Sequence, residues 1–254
     1  MPPDAVLVSD VHVDGPTCSR QAAFLRFLAG LDSAAPPRLV LLGDIFHVWW
    51  CHADQPFVQF APVLAALADF PLVCLAGNHD FHAPRYFGAK GAVIADHPAA
   101  IGSRISVQLG ELHTMLTHGD EVDTSLGYRG LHAVIRSPAF DFALGAAGPE
   151  TGWRFLHRLA GHAKGAPWPD AIAKQHALAA TLVSVPPEPG SPLSTRTAPG
   201  AAGDVHELVA MGHTHAPEIR EHPGFTFLNT GDWVEHRTYA TVTGSVVELH
   251  RFDG

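Results

Sequence analysis

Five short stretches carry the residues most able to do chemistry. They are Asp10-Val11-His12, Gly43-Asp44, Gly77-Asn78-His79-Asp80, His118-Gly119-Asp120 and Gly212-His213-Thr214-His215. Their side chains are carboxylates, imidazoles and one primary amide. That mixture suits Mn²⁺, Fe²⁺ or Zn²⁺ and is poor for Ca²⁺, which prefers an oxygen shell. Asp10 and His12, two apart at a strand end, point the same way and can reach one ion. Asn78 is an uncommon ligand, yet its amide oxygen suits a hard cation. A single Gly-Asp after a strand is usually a plain turn. Five such stretches in one chain are what raise the odds of a shared site.

Each stretch needs a strand to deliver it. Ala5 to Ser9 and Leu39 to Leu42 are apolar runs ending at Asp10 and Asp44. Pro71 to Leu75 is a third run, ending at the Gly77 stretch, and Gly77 lets the backbone turn sharply there. Between the first two strands, residues 17–32 show helical spacing of Phe24, Leu25, Phe27, Leu28 and Leu31. That βαβ start predicts a parallel sheet with a right-handed crossover. A second helix is predicted over 56–70, and a short one over 84–90 brings Arg85 near the site. Ser103 to Leu109 and Leu112 to Thr117 read as a hairpin that ends at His118. Residues 121–183 are helical in pattern and form an insertion read as a lid, the alternative being helices packed on the outer face. Residues 186–203 are rich in Pro, Gly, Ser and Thr and are expected to be a flexible connector. Strands resume at 207–210, 225–229, 238–242 and 245–252. The aromatic loop after Asp44 leaves two readings open: Trp49 and Trp50 as wedges over the site, or as cover for the edge of the core. His47 is a weaker candidate for substrate contact.

The formal charge of −9 argues against a general binder of phosphate backbones, so no nucleic-acid polymer is expected as a partner. Three cysteines without Cys-x-x-Cys spacing speak against a disulfide framework and fit a reducing, cytoplasmic compartment. No basic segment followed by an apolar run precedes the first strand, so no signal peptide is expected. No apolar run approaches the roughly 18 residues that span a bilayer.

Taken in order, D-x-H, G-D, G-N-H-D, H-G-D and G-H-x-H resemble the calcineurin-like metallophosphoesterases at every motif. That resemblance implies an α/β fold, a four-layer α-β-β-α sandwich of two mixed sheets, here as one domain over 1–254 with the helical insertion. It implies two divalent cations, with Mn²⁺ expected and Fe²⁺ or Zn²⁺ as alternatives. One cation would be held by Asp10, His12, Asp44 and His215, the other by Asp44, Asn78, His118 and His213. It implies a phosphohydrolase in which hydroxide between the ions attacks phosphorus. His79 would stabilise phosphoryl charge or protonate the leaving group, with Asp80 orienting it. Asp120 would support the site or cap a loop.

Within that superfamily the chain is similar to the UDP-2,3-diacylglucosamine diphosphatases of lipid A synthesis. Trp49 after the Gly43 stretch, Gly127-Tyr128-Arg129 in the helical block and Asn229-Thr230-Gly231-Asp232-Trp233 after His215 carry the likeness. It implies a nucleotide-sugar lipid substrate, contacted by Asn78, Arg85, Tyr128 and Arg129, and peripheral contact with the inner membrane. The chain departs from that group at His79 and His47, where the group carries arginine and an acidic residue. A soluble nucleotide or phosphoprotein substrate is the alternative. An inactive metal-bound scaffold, as in retromer-type members, is opposed by the complete ligand set.

Overall fold

The structure, a computed structural model, describes residues 2–49, 57–94, 101–162, 170–185 and 206–254. Trp50 and the 186–203 connector lie outside the described residues. Four parallel strands open the first sheet: β1 (Ala5–Val8), β2 (Arg38–Leu41), β3 (Leu72–Cys74) and β4 (Val93–Ile94). Helices α1 (Ser19–Ala29), α2 (Ala61–Leu67) and α3 (Ala83–Gly88) fall between them in sequence. The second sheet starts with the antiparallel hairpin β5 (Arg104–Leu109) and β6 (Leu112–Thr117), as its Gly110-Glu111 turn predicts. Four helices follow: α4 (Leu126–Ile135), α5 (Pro138–Ala147), α6 (Pro149–His162) and α7 (Ala171–Leu182). Then come β7 (Leu208–Met211), β8 (Glu218–His222) and β9 (Phe225–Asn229), which join the second sheet. Strands β10 (Thr238–Thr243) and β11 (Val246–Arg251) return to the first sheet, β10 antiparallel to β1 and β11 antiparallel to β10. The orders are β11-β10-β1-β2-β3-β4 and β5-β6-β7-β9-β8, so both sheets are mixed.

Side-chain alternation along the strands builds the layers. In β1, Ala5 and Leu7 face the second sheet, packing with Ile105, Leu116, Ala210 and Leu228. Val6 and Val8 face the other way, against Phe24 and Phe27 of α1 and Val63 of α2. A strand buried on both faces has to be apolar throughout, and Ala5 to Val8 is. On the far side of the second sheet, Val209, Met211 and Phe227 pack against Ala179 and Leu182 of α7. The result is helices, sheet, sheet and helix, the expected four layers.

That placement of α7 departs from the reading of 121–183 as one block over the site. The apolar face of α7 is the outer cover of the second sheet, which its spacing alone could not assign to a layer. Helices α4 to α6 behave differently. Leu144, Leu156 and Leu159 pack on Val48, and Ile135 and Leu159 pack on Ala76 and Phe81. They therefore rest on the loops that leave β2 and β3. The starts of α4 and α5 are set locally: Ser125 and Ser137 accept hydrogen bonds from the N–H groups of Tyr128 and Phe140, and Pro138 opens α5. Among the described residues no helix is long and apolar enough to cross a membrane.

Candidate metal centre

The five stretches leave the C-terminal ends of β1, β2, β3, β6 and β7, and the two sheets bring those ends together. Asp10, His12, Asp44, Asn78, His118, His213 and His215 meet there. Nε2 of His12 lies 4.0 Å from Asp10 Oδ1 and 3.8 Å from Asp44 Oδ2. Nε2 of His215 lies 3.2 Å from Asp10 Oδ1. On the other side, Nε2 of His118 is 3.7 Å from the same Asp44 Oδ2 and 3.1 Å from Asn78 Oδ1. His213 Nδ1 is 3.0 Å from that amide oxygen. Asp44 Oδ2 thus stands between two groups of donors.

The backbone is bent to achieve this. Among the described residues six non-glycine positions have positive φ, and five are Asp10, His12, Asp44, His213 and His215. Such conformations cost roughly 1–3 kcal/mol each and persist only where the surroundings enforce them. Several contacts do the enforcing. Asp80 accepts from the N–H groups of Asp44 (3.0 Å), Ile45 (2.8 Å), Phe46 (3.2 Å) and Gly77 (3.0 Å). Gly77 is required because an added Cβ would stand 2.0 Å from Asp44 Oδ1 and 2.3 Å from its nitrogen. Beneath Asp10, the Trp233 N–H donates to its carbonyl at 3.0 Å, and Ser9 bonds Thr230 at 2.7 Å. The Asn229 to Trp233 stretch therefore acts as a prop for the first motif.

The electrostatics favour cations. Burial, with Asp80 and Asp10 nearby, pushes the Asp44 carboxyl up to about 8 despite His118. Burial would also raise Asp10, but His215, His118 and His12 together outweigh it and hold that carboxyl far below the usual range. Asp10 in turn raises His215 to about 9 against its burial. Burial, with His79 close by, lowers His12; burial and His118 lower His213 to about 4. A metal requires neutral imidazoles and ionised carboxylates. His12 and His213 already favour the neutral form. Asp44, His215 and His118, the last raised by Asp44 and Asp10 against its burial, would give up their protons to an arriving ion. Among the described residues of the cluster, His12 Nδ1 is buried without a hydrogen-bond partner, while Asp10 Oδ1 is met only by the His215 ring at 3.2 Å, a contact an ion could replace. His118 gives its Nδ1 hydrogen to the Leu42 carbonyl at 2.8 Å, leaving the Nε2 lone pair for the centre. The donor set fits divalent cations.

Other expected residues fare unevenly. His79 sits beside the centre, its ring 4.8 Å from that of His12. Its partner is not Asp80: His79 Nδ1 bonds the His47 carbonyl at 2.9 Å, and the Asp80 oxygens are taken up by backbone N–H groups. Asp80 shapes the loops that carry Asp44 and Asn78, a backbone role that four converging donors dictate. Tyr128 donates to Asp120 at 3.4 Å, and its ring lies 6.3 Å from that of His213. Arg129, one residue on, is exposed. Arg85 is exposed on α3, where its charge bears on His82. Trp49 packs between Phe46 and Phe60 in the core and also lines the cleft beside Asn78 and His79. Arg136 was not anticipated. It donates to Asp120 at 3.2 Å and to the Gly77 carbonyl at 3.5 Å, bracing the third loop. Only its position at the end of an apolar helix after His118 could have hinted at this.

The sequence profile described as "Calcineurin-like phosphoesterase" matches residues 5–217, taking in all five strand-end motifs. The chain belongs to this family. It is accordingly a metal-dependent phosphoester hydrolase, and the family implies divalent metal ions. Among curated relatives, "UDP-2,3-diacylglucosamine hydrolase" of Shigella sonnei is 24% identical over 260 residues, covering 97% of this chain and 98% of that protein. Its namesake in Escherichia coli O17:K52:H18 is 24% identical over 259 residues, with the same coverage. Among solved structures, a dimetal phosphatase from Danio rerio gives a TM-score of 0.49 at 13% identity, covering 99% of this chain and 100% of that one.

Proposed function

We propose that this phosphoesterase holds two cations and hydrolyses the diphosphate of an amphiphilic nucleotide-sugar lipid, UDP-2,3-diacylglucosamine or a close analogue. Asp10, His12, Asp44 and His215 would hold one ion; Asp44, Asn78, His118 and His213 would hold the other, with Mn²⁺ the proposed occupant. When bound, such a pair supplies Lewis acidity and lowers the pKa of a coordinated water. Water's oxygen joins phosphorus, the bond from phosphorus to the leaving oxygen breaks, and that oxygen takes up a proton.

The observation that carries the substrate reading is a cleft of about 60 Å³ lined in part by Asn78 and His79. Its walls are Leu131 and Ile135 of α4, Leu156, Leu159 and Ala160 of α6, and Val48, so apolar surface begins beside the candidate centre. An acyl chain is the natural occupant of such walls. The likeness to the UDP-2,3-diacylglucosamine hydrolases over nearly the whole chain supports the same choice. Peripheral membrane contact is proposed through the neighbouring Leu126, Val134, Phe142 and Phe155, all exposed on α4 to α6.

His79 has a constrained part. Nδ1 already gives its hydrogen to the His47 carbonyl, so Nε2 can donate to a phosphoryl oxygen only as imidazolium. Burial, with His47 adding to it, lowers its pKa to about 3, and an arriving phosphoryl anion would raise it. Charge stabilisation and protonation of the leaving group would both require that imidazolium.

The deciding experiment is incubation of purified protein and Mn²⁺ with UDP-2,3-diacylglucosamine, followed by ³¹P NMR. Appearance of UMP and the lipid monophosphate is expected. Turnover of bis-p-nitrophenyl phosphate with the lipid left intact would overturn the lipid reading and favour a soluble substrate. Leu131→Glu, which places a charge on the cleft wall, is expected to lower the ratio of lipid kcat/KM to soluble-diester kcat/KM at least about tenfold, or about 1.4 kcal/mol. Chelation should also be visible in the fold. Each ion held at about 1,000 times its Kd adds about 4 kcal/mol. Removal of both should lower Tm by about 16–32 °C in a domain of this size, about half of that for each ion, read by calorimetry with and without EDTA.

A further inference from the structure

We propose a third cation site, made by Asp14, His47 and His157 at the rim of the cleft and selective for a zinc-like transition ion. These residues come from the loop after β1, the loop after β2 and helix α6. Asp14 Oδ1 and His157 Nε2 are 2.8 Å apart, and the His47 and His157 rings meet edge-on at 5.2 Å. One ligand atom from each of the three lies within 4.8 Å of the others. Two ligands of a tetrahedral zinc stand about 3.3 Å apart, given bonds of about 2.0–2.1 Å, so small rotations would close the set. None of the three belongs to the proposed pair, although the His47 ring lies 5.7 Å from that of His12.

The donors and their exposure suggest the ion. Two imidazoles and one carboxylate favour Zn²⁺ over Mn²⁺ on ligand softness and on the general affinity order of divalent metals. The His47 residue is buried, whereas the side chains of Asp14 and His157 are 30% and 36% exposed. Three protein ligands with one side open to solvent is the pattern of an accessible zinc site. A bare Asp14–His157 ion pair, so exposed, would contribute only about 0–1 kcal/mol.

The consequence lies in what α6 carries. Leu156, Leu159 and Ala160 on that helix line the cleft, and His157 stands among them in sequence. An ion bridging His157 to the two loops would pin α6 over the candidate centre. Zinc would thereby reduce access to the cleft without entering the pair.

The test uses full-length protein loaded with Mn²⁺ and dialysed against low-micromolar Zn²⁺, with total metal counted by elemental analysis. Wild type is expected to hold one more equivalent than His157→Ala and Asp14→Asn, whose third-site affinity should fall at least about 100-fold. Hydrogen exchange in α6 peptides should slow on zinc addition in wild type alone. Equal metal totals in wild type and both variants, with α6 exchange unchanged by zinc, would overturn the site and leave an ion pair. Manganese content before dialysis reports the pair separately, so loss of one reading is distinguishable from loss of the other.

Discussion

Asp44→Asn protein is expected to lose at least about three orders of magnitude in kcat/KM toward any phosphodiester. Asp44 Oδ2 faces His12 on one side and His118 on the other, at 3.8 and 3.7 Å. In the proposed centre this one carboxylate serves both cations. An amide in its place removes a full negative charge. One unit charge acting on another at 4 Å is worth about 4 kcal/mol at an effective dielectric constant of 20. That corresponds to roughly 10³-fold in rate, and both ions feel the loss. Steady-state assays with bis-p-nitrophenyl phosphate and Mn²⁺ measure it, alongside the metal content of the variant. A reduction below about tenfold would show that Asp44 is not shared. The fold should survive, because burial already pushes this carboxyl toward its neutral form, to about 8, when no ion offsets it.

Asp80→Ala is expected to act on the fold before it acts on the chemistry. Its two oxygens satisfy four backbone N–H groups, from Asp44, Ile45, Phe46 and Gly77, and the residue is 1% exposed. A buried donor left unpaired costs about 1–3 kcal/mol, so the loss should exceed about 4 kcal/mol. That is a large part of the roughly 5–15 kcal/mol by which domains are stable. Urea unfolding of the metal-loaded variants provides the measure. Asp80→Asn, which keeps one accepting oxygen, should lose less. If both variants melted with wild type and differed only in kcat, Asp80 would be a proton-transfer group instead of a brace.

How far the chain could be read in advance depended on what each feature leaves in the sequence. The strand-end motifs were legible because each closes an apolar run, as Leu39 to Leu42 closes at Asp44. The buried strands β1 and β2 were legible for the same reason. Strand β8, Glu-Ile-Arg-Glu-His, was not, because an exposed edge strand needs no apolar face. Helix α7 showed its periodicity but not its layer, since the pattern marks an apolar face and not what covers it. The left-handed backbone at Asp10, His12, Asp44, His213 and His215 leaves no trace in residue types beyond the tolerance of Asp and His for it. Long-range pairings were hidden as well: Asp14 and His157 are 143 residues apart. Arg136 likewise acquires its role through Asp120 and Gly77, which only the packing of α4 brings to it.

Crystals grown with manganese and measured near its absorption edge address the paired centre most directly. Two anomalous peaks are expected astride Asp44 Oδ2, one against Asp10, His12 and His215, the other against Asn78, His118 and His213. No peak there, or a single ion that leaves one of these groups without metal, would contradict it.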